Sequence, residues 1–485
     1  MGRISNTIKH LRNNEKFGDL AKNSVYFLIG SFGSKLLTFF LVPLYTSVLS
    51  TYELGLTENV LTTSSILLYV VTLCIGDAVF VFAMKEAEAK GAILKYGIVL
   101  VIKGMLVFSV GISVFAWINP VGWPRYNYLV LWIHLCINAF SSLITSYLRA
   151  VNKTKEIAVS GLLITLITVG SSILLMLVFP FGIAGYLISL LFGLFVGLIY
   201  LVIKCPDLKS AIKGAVCDKE VQHEMLRYSI PLIINGVSWW VNSGLDRYLV
   251  TAIAGTDANG IYAIAAKIPT VLSTLNLIFA QAWSISAIKE YDKDDTDGFF
   301  GKTYSAYNTM LVLCSSILIL LDVPLAGLLY AKSFYVAWES SVWLIISVLF
   351  SSMAGFVGSV FGAVRNSKAY ALSTIGSAVL NLVLNMILIP VCQEIGAAIA
   401  TAVSFFALWL IRYLYSKKFI RWKIKIFRDL AGYILLIVQA FACLQETHFY
   451  YLQLGCFAGI IVLHWDVILM LVRKMSVGTG MKTGK

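Results

Sequence analysis

Long apolar segments follow one another along most of this chain. Each is about as long as the ~20 residues that an α-helix needs to cross the hydrocarbon core of a bilayer. Only short polar loops separate them, so the pattern predicts a bundle of helices in lipid. We place the spans at residues 24–49, 58–83, 93–118, 127–148, 157–179, 181–203, 228–254, 258–287, 304–329, 336–363, 369–391, 394–415, 429–446 and 449–471.

The composition agrees with a membrane location. Of 485 residues, 59% are hydrophobic and 13% are charged, whereas a soluble protein has about 25% charged residues. We therefore predict an all-α polytopic membrane protein with about 14 transmembrane helices. The net charge of +13 does not indicate nucleic-acid binding, because the basic residues lie in short loops rather than along one face or tail.

The basic residues occupy alternate loops. They precede span one and follow every even-numbered span, while the opposite loops hold little that is basic, namely Arg125 and Lys332. Membrane proteins keep such basic loops in the cytoplasm, so both termini are expected there. The agreement over every loop also supports the number of spans, because one missed helix would invert the pattern after it.

Two short segments recur in the second half of the chain. Residues 49–56 (LSTYELGL) align with 254–261 (AGTDANGI), and residues 149–155 (RAVNKTK) align with 362–368 (GAVRNSK). The separations correspond to six spans, an even number, so both halves have the same orientation. Such a parallel repeat places a binding site between the halves near the membrane midplane.

These features give an expected domain organisation, in which the last two spans have no counterpart in the repeat. We expect a cytoplasmic segment at 1–21, an N-lobe of helices 1–6 at 22–204, a cytoplasmic linker at 205–227, a C-lobe of helices 7–12 at 228–415, a basic cytoplasmic linker at 416–428, appended helices 13 and 14 at 429–471, and a cytoplasmic tail at 472–485.

The stretch from 226 to 291 contains charged residues inside two spans. A charge near the bilayer centre costs roughly 2.5–3.5 kcal/mol, so it normally faces a protein interior or a wet cavity. Helical spacing collects the polar residues into two stripes, which are Asn235, Ser238, Trp239, Asn242 and Asp246 in span seven, and Lys267, Thr270, Thr274 and Gln281 in span eight. The stripes favour two helices that line a hydrophilic cavity. The alternative is hydrogen bonding between helices that stabilises the bundle.

Asp246 and Arg247 point roughly 100° apart on a helix, so they cannot face the same partner. We expect an Asp246–Lys267 ion pair that leaves Arg247 available for an anionic ligand. A free arginine suits phosphate, because its guanidinium donates two parallel hydrogen bonds.

Other charged residues lie in the spans of the first half. Lys35 is near the midplane of span one, too deep to reach the interface easily, and is expected to face the cavity. Asp77 is closer to the cytoplasm and can pair with Lys35, either for function or for stability alone. Lys103 is equally consistent with a position at the interface.

Several polar residues have simpler interpretations. Asp322, beside Pro324, is expected to be solvated, and Arg149, Arg365 and Arg412 are interpreted as topology signals at cytoplasmic ends. A further stripe in span eleven favours helix packing over ligand binding, and it comprises Thr374, Ser377, Asn381 and Asn385. Gly193, Gly197, Gly358 and Gly362 permit close contact between helices.

No enzyme signature is present in the sequence. There is no phosphate-cradling glycine loop and no Ser/His/Asp arrangement. The eight cysteines mostly lie inside apolar spans without a C-x-x-C pair, so neither a disulfide framework nor a zinc site is expected.

Four segments together resemble one known family. They are residues 32–46 (FGSKLLTFFLVPLYT), 53–56 (ELGL), 245–247 (LDR) and 260–268 (GIYAIAAKI). The first two are similar to the opening of bacterial polysaccharide flippases, the family that exports O-antigen or capsule repeat units, and the last two resemble the start of their second lobe. This family is part of the multidrug/oligosaccharidyl-lipid/polysaccharide exporter superfamily.

The resemblance implies two pseudo-symmetric six-helix lobes in a V, plus two C-terminal helices. It also implies transport by alternating access of an undecaprenyl-pyrophosphate-linked oligosaccharide, from the inner to the outer leaflet of the bacterial cytoplasmic membrane. Lys35, Arg247 and Lys267 would attract the pyrophosphate, and the polar residues Asn235, Asn242 and Gln281 would meet sugar hydroxyls. Asp77 and Asp246 are candidates for coupling or ion pairing.

The expected partners are the lipid-linked oligosaccharide, membrane lipids and other polysaccharide-assembly membrane proteins, with no nucleic acid. No cofactor or metal is expected, and coupling to protons or sodium remains open. Two alternatives also remain. One is a cation-coupled multidrug antiporter of the same superfamily, which a basic cavity disfavours. The other is a membrane polysaccharide polymerase or ligase, which the short outer loops disfavour.

Overall fold

The computed structural model describes residues 39–85, 89–212, 217–364, 366–445 and 449–470, and this part of the chain is helical without a strand. The helices are α1 Val42–Val48, α2 Thr51–Val71, α3 Ile75–Lys85, α4 Lys90–Ile118, α5 Arg125–Ala150, α6 Thr154–Ile173, α7 Gly182–Lys204, α8 Leu208–Ile212, α9 Lys219–Ala254, α10 Thr256–Ala265, α11 Pro269–Lys289, α12 Phe299–Leu320, α13 Asp322–Leu329, α14 Ala337–Ala363, α15 Ser367–Ser416, α16 Ile426–Leu444 and α17 Tyr450–Leu463.

The helices confirm the all-α membrane fold. Within the described residues, nine helices are long and apolar enough to cross a membrane, or ten when α10 and α11 count as one bent span. Fewer helices meet this criterion than the fourteen predicted spans for identifiable reasons. Span one lies largely before residue 39, span fourteen is a shorter apolar helix, and α15 contains two predicted spans. Span seven lies in α9, which is not among the helices that meet the criterion.

Several predicted spans are interrupted. Span eight is two helices, α10 and α11, which are bent by 54° at the intervening residues, so its prediction as one continuous helix was wrong. Span two is divided into α2 and α3, where Leu73 and Cys74 have φ of 50° and 52°. Spans eleven and twelve are the two arms of α15, which folds back at Gln393 with φ 49° and ψ −129°. The predicted division near Gly182 is confirmed, because α7 begins there.

The chain forms two compact units. Among the described residues, the first comprises 39–49 and 57–244, and the second comprises 50–56 and 245–470. In the first unit, the core is formed where α3, α4, α5 and α8 meet, with Ile75, Ile93, Leu135 and Tyr147 fully buried. The apolar stretch of α4 is only 17% buried, so most of its surface is available to lipid.

The second unit is built around α14. Of its apolar stretch, 78% is buried, against the neighbouring helices α10, α11, α12 and α15. The appended helices pack on α12 through polar contacts as well as apolar ones. Tyr433 Oη donates to Asn308 Oδ1 at 2.7 Å, and Gln439 Nε2 donates to the Ser316 carbonyl at 2.9 Å. Residues without a counterpart in the repeat are thus integrated into the core of this unit.

The two copies of the first repeated segment contact each other within the second unit. A Cβ on Gly55 would lie 2.0 Å from the Thr256 carbonyl oxygen, and a Cβ on Gly260 would lie 2.0 Å from that of Thr51. Because the sequence repeat equates Thr51 with Thr256 and Gly55 with Gly260, the contact is reciprocal, as in a two-fold pair. Asn259 Nδ2 also donates to the Gly55 carbonyl at 3.0 Å. Only glycine permits the two backbones to approach so closely.

Candidate functional site

Asp246 is a buried carboxylate in the second unit, surrounded by neutral hydrogen-bond donors. It lies near the end of α9 and is 7% exposed. Asn385 Nδ2 donates to its Oδ1 at 2.7 Å, the Thr401 hydroxyl lies 2.7 Å from its Oδ2, and Tyr262 Oη donates to the same oxygen at 3.3 Å. We call Asp246, Tyr262, Asn381, Asn385 and Thr401 the Asp246 site.

The hairpin of α15 assembles this site. Its two arms run back from Gln393, which brings Asn385 on one arm and Thr401 on the other to the same carboxylate. Asn381 Oδ1 accepts the second N–H of the Asn385 amide at 2.9 Å. A stripe interpreted as packing thus includes one residue that binds the acid, Asn385, and a second, Asn381, that binds the Asn385 amide. Ser377 does serve packing, because its hydroxyl donates to the Ser404 carbonyl at 2.9 Å.

The predicted Asp246–Lys267 ion pair is not formed. Within the described part of the chain, no lysine, arginine or histidine nitrogen lies within 4.0 Å of the Asp246 carboxylate. The physical reason is the interruption of span eight. Lys267 falls in the bend between α10 and α11, whereas the prediction assumed a straight helix that would carry it to the depth of Asp246.

The geometry indicates what can neutralise Asp246. A buried carboxylate without a cationic partner is costly unless it is protonated or binds a cation. The Thr401 hydroxyl has one hydrogen, shared between Asp246 Oδ2 and the Ala397 carbonyl at 2.9 Å, and Asn385 Oδ1 is buried with no hydrogen-bond partner among the described residues. One carboxylate beside hydroxyl and amide oxygens suits a proton or a monovalent cation. Among the described residues, no cluster of three His, Cys, Asp or Glu is suited to a multivalent metal.

The structure describes only some of the other predicted site residues. Lys35 lies outside the described residues, and so do the side chains of Asn235, Asn242 and Gln281, although their backbones belong to α9 and α11. Arg247 and Lys267 are half-buried in the second unit, and both take part in polar or electrostatic interactions. Their predicted role in lining a cavity stays a prediction.

Asp77 lines a separate cavity in the first unit. The cavity has a volume of about 380 Å³ and is lined by Tyr69, Cys74, Asp77, Phe80, Val81, Tyr228, Leu232 and Gly236. Arg149 interacts electrostatically with Asp77 and lies 5.5 Å from the centroid of the Phe80 ring. Arg149 therefore contributes to the surroundings of this acid as well as to the positive charge of its loop.

The sequence interpretation missed an acidic residue in α2. Glu58 is 6% exposed, in the half of the helix that also carries the buried Thr57, Asn59 and Thr62. The predicted span two begins at residue 58, which placed Glu58 at the end of the span. The observed α2 begins at Thr51, so this carboxylate lies inside an apolar helix, where it has the same meaning as Asp246. Tyr262 and Thr401 were also missed, since single polar residues in apolar spans have no periodicity.

Two charged residues were assigned to the wrong environment. Asp322 was expected to be solvated, but it is fully buried, and its Oδ1 accepts a hydrogen bond from Ser341 at 2.9 Å. Arg412 was interpreted as a topology signal, but it is 3% exposed inside the second unit. Both lie near helix ends, and their positions in the sequence do not reveal that α14 covers them. Ser341, which binds Asp322, and Ala354, whose carbonyl accepts from Arg412, both belong to α14.

Two sequence comparisons match large parts of this chain. A family profile described as "Polysaccharide biosynthesis protein" matches residues 20–285. An uncharacterized membrane protein of Methanocaldococcus jannaschii is 24% identical over 419 residues, which cover 81% of this chain and 96% of that protein.

Two solved structures share the architecture at low sequence identity. Lipid II flippase MurJ, in an inward closed conformation, superposes with a TM-score of 0.70 at 15% identity, covering 93% of this chain and 99% of that one. A multidrug resistance MATE family transporter of the MOP superfamily, in an inward-facing conformation, gives 0.66 at 12% identity and covers 79% and 94%. The chain therefore has the fold of these multi-pass membrane transporters.

Proposed function

This chain belongs to the polysaccharide biosynthesis protein family, and we propose that it is a flippase for a lipid-linked oligosaccharide. In this proposal, an undecaprenyl-pyrophosphate-linked repeat unit moves from the inner to the outer leaflet of the bacterial cytoplasmic membrane. The product then enters the synthesis of a surface polysaccharide such as O-antigen, capsule or exopolysaccharide.

The proposal is supported most strongly by the agreement between the family match and the fold. The family profile covers more than half of the chain, and the fold matches a protein described as a lipid II flippase over 93% of the chain. Lipid II is itself a saccharide carried on a lipid, so the two comparisons favour the same class of substrate.

We assign coupling to the Asp246 site. A carboxylate buried among neutral donors changes its energetic cost greatly when it gains or loses a proton or a monovalent cation. A transporter that alternates between two states can exploit this difference, because a ligand shifts an equilibrium by as much as its affinities for the two states differ. Proton or cation binding at Asp246 would therefore bias one conformation of the carrier.

Substrate recognition is assigned to the polar stripes. Lys35, Arg247 and Lys267 would attract the pyrophosphate, since basic side chains bind phosphate by charge-assisted hydrogen bonds. Asn235, Asn242 and Gln281 would bind sugar hydroxyls. In the membrane, the basic loops would face the cytoplasm together with both termini.

A deletion strain tests the proposal. We expect repeat units linked to the lipid carrier to accumulate on the inner leaflet, surface polymer to be lost, and the wild-type gene to restore both. Normal flipping with unpolymerised product would instead identify a polymerase or ligase. An unchanged surface glycan with altered sensitivity to cationic drugs would identify a multidrug antiporter.

A further inference from the structure

Arg412 is a buried cation whose hydrogen-bond partners among the described residues are all neutral. Its Nε donates to Ser373 Oγ at 3.1 Å, Nη1 donates to the Ala354 carbonyl at 2.9 Å, and Nη2 donates to Thr374 Oγ1 at 2.9 Å. No carboxylate oxygen in the described ranges lies within 4.0 Å of its nitrogens. The guanidinium therefore has no countercharge supplied by these residues.

The guanidinium also keeps unused donors. It has five N–H groups, and the three hydrogen bonds to described residues leave one on Nη1 and one on Nη2. A buried charge without a counter-ion costs several kcal/mol, and two N–H groups at adjacent nitrogens match the oxygens of a phosphate. An anion with two or more oxygens would neutralise the charge and accept hydrogen bonds from both N–H groups.

Tyr370 and Gly358 enclose the Arg412 guanidinium on two sides. The Tyr370 ring lies with its centroid 4.1 Å from Arg412 Cζ and is itself 42% exposed, so it forms the side that opens to lipid. Gly358 forms the opposite wall, where a Cβ would lie 2.8 Å from Nη1 and 2.9 Å from the Tyr370 ring. This glycine, expected to permit contact between helices, thus makes room for the guanidinium instead.

The end of the second unit that carries Arg412 is strongly basic. Because α15 folds back at Gln393, its first and last turns are neighbours, and both carry exposed lysines, Lys368 at the start and Lys417 and Lys418 at the end. Arg412 is four residues from the last helical residue, about 6 Å along the axis. The charge rule predicts that this end faces the cytoplasm, where anionic lipid headgroups are attracted to basic residues near the surface.

We propose that Arg412, Tyr370 and Gly358 form a binding site for the phosphate of an anionic phospholipid in the cytoplasmic leaflet. The phosphate accepts hydrogen bonds from Nη1 and Nη2, and the neighbouring lysines add long-range attraction. This lipid site is distinct from the residues that we assign to transport, because it opens on the surface of the second unit. Free phosphate and the pyrophosphate of a lipid-linked saccharide share this chemistry, so the experiment must separate the three sources.

The test is direct lipid binding to the purified full-length protein, followed by native mass spectrometry. The probes are phosphatidylglycerol, phosphatidylcholine, inorganic phosphate and undecaprenyl pyrophosphate. We expect phosphatidylglycerol to bind about tenfold more tightly than phosphatidylcholine, and Arg412→Gln to abolish the difference. The matched control is Lys418→Gln, which removes an exposed cation stacked on Tyr415 at the same end and should keep the preference.

Three outcomes would overturn the proposal. One is equal binding of the two phospholipids by the wild type. Another is a preference that persists in folded Arg412→Gln protein, which would leave Arg412 with a structural role alone. The third is binding of free phosphate or undecaprenyl pyrophosphate that Arg412→Gln weakens more than it weakens binding of phosphatidylglycerol, which would assign the site to a different ligand.

A second measurement keeps Arg412 in place, in case its replacement prevents folding. A benzophenone amino acid is introduced at Ala371, an exposed position beside Tyr370, or at Met386, which is 58% exposed further along the same arm. Phosphatidylglycerol should be captured in preference to phosphatidylcholine at 371 and without preference at 386. Equal capture of both lipids at 371 would contradict the proposal.

Discussion

At the scale of single residues, the environment of a charge decides what it can do. Asp246 and Asp294 are both aspartates, but the first is buried among neutral donors while the second is 53% exposed and pairs with Arg421. Only at Asp246 does the gain or loss of a proton or a cation strongly change the free energy of the folded protein. Its neighbours Asn385 and Thr401 therefore set how readily it binds a proton or a cation.

Replacement of Thr401 by valine tests this dependence. Thr401→Val removes a hydroxyl that lies 2.7 Å from Asp246 Oδ2, a hydrogen bond to a charged group worth about 1.5–3 kcal/mol. Thr165→Val is the matched control, because Thr165 is also buried and its hydroxyl donates to the Gly161 carbonyl of its own helix. Unfolding in detergent should show a loss for Thr401→Val and less than about 1 kcal/mol for the control. Equal losses would contradict the assigned bond.

Replacement of Asp246 by asparagine separates charge from shape. Asp246→Asn keeps the volume but cannot bind or release a proton, so transport should fall by at least about tenfold if coupling depends on this group. The folded protein should remain as stable or become more stable, because a buried charge is removed. Retained export of surface glycan at normal protein levels would remove Asp246 from the mechanism.

At the scale of helices, short breaks and close crossings position the site. The reversal of α15 at Gln393 brings Asn385 and Thr401 to one carboxylate, and Lys267 lies in the 54° bend between α10 and α11, away from this carboxylate. The reciprocal approach of Gly55 and Gly260 fixes where the repeated segments cross.

Substitution of these glycines tests the crossing. Gly55→Ala would place a Cβ 2.0 Å from the Thr256 carbonyl oxygen, and such overpacking typically costs about 1–3 kcal/mol. Gly111→Ala in α4 is the control, because nothing lies within 4 Å of its Cβ position and alanine is favoured over glycine in a helix by about 0.5–1 kcal/mol. Thermal unfolding should therefore move in opposite directions for the two variants, and an unchanged Gly55→Ala protein would contradict the close approach.

Two adjacent aspartates before α12 should differ in their contribution to stability. The buried Asp295 carboxylate accepts hydrogen bonds from the backbone N–H groups of Phe300 and Gly301, both at 2.9 Å, so Asp295→Ala should cost about 1–2 kcal/mol. Asp294 makes an exposed ion pair with Arg421 at 3.2 Å, and such pairs contribute about 0–1 kcal/mol. Chemical unfolding of Asp294→Ala and Asp295→Ala compares them directly, and a larger loss for Asp294→Ala would show that the roles are reversed.

At the scale of the whole molecule, the sequence predicted the membrane fold well because hydrophobicity and loop charge report directly on lipid. The length of each apolar span and the alternation of basic loops required no knowledge of packing. The site was predicted less well, since Asn385 and Thr401 lie 139 and 155 residues from Asp246. The kink at Gln393 falls at the break between predicted spans eleven and twelve, but the apolar pattern does not show which faces of the two arms meet Asp246. Burial of Arg412 and Asp322 was missed for the same reason, because contacts from another helix decide it.

The central claim is that this chain alone moves a lipid-linked saccharide across a bilayer through a step that depends on Asp246. The most direct test is translocation of a fluorescent undecaprenyl-pyrophosphate-linked saccharide in proteoliposomes, with a proton or sodium gradient imposed. We predict that the wild type moves the lipid between leaflets faster than empty liposomes do, that one of the gradients increases the rate, and that Asp246→Asn abolishes this increase. Translocation by the wild type at the rate of empty liposomes, under either gradient, would contradict the account.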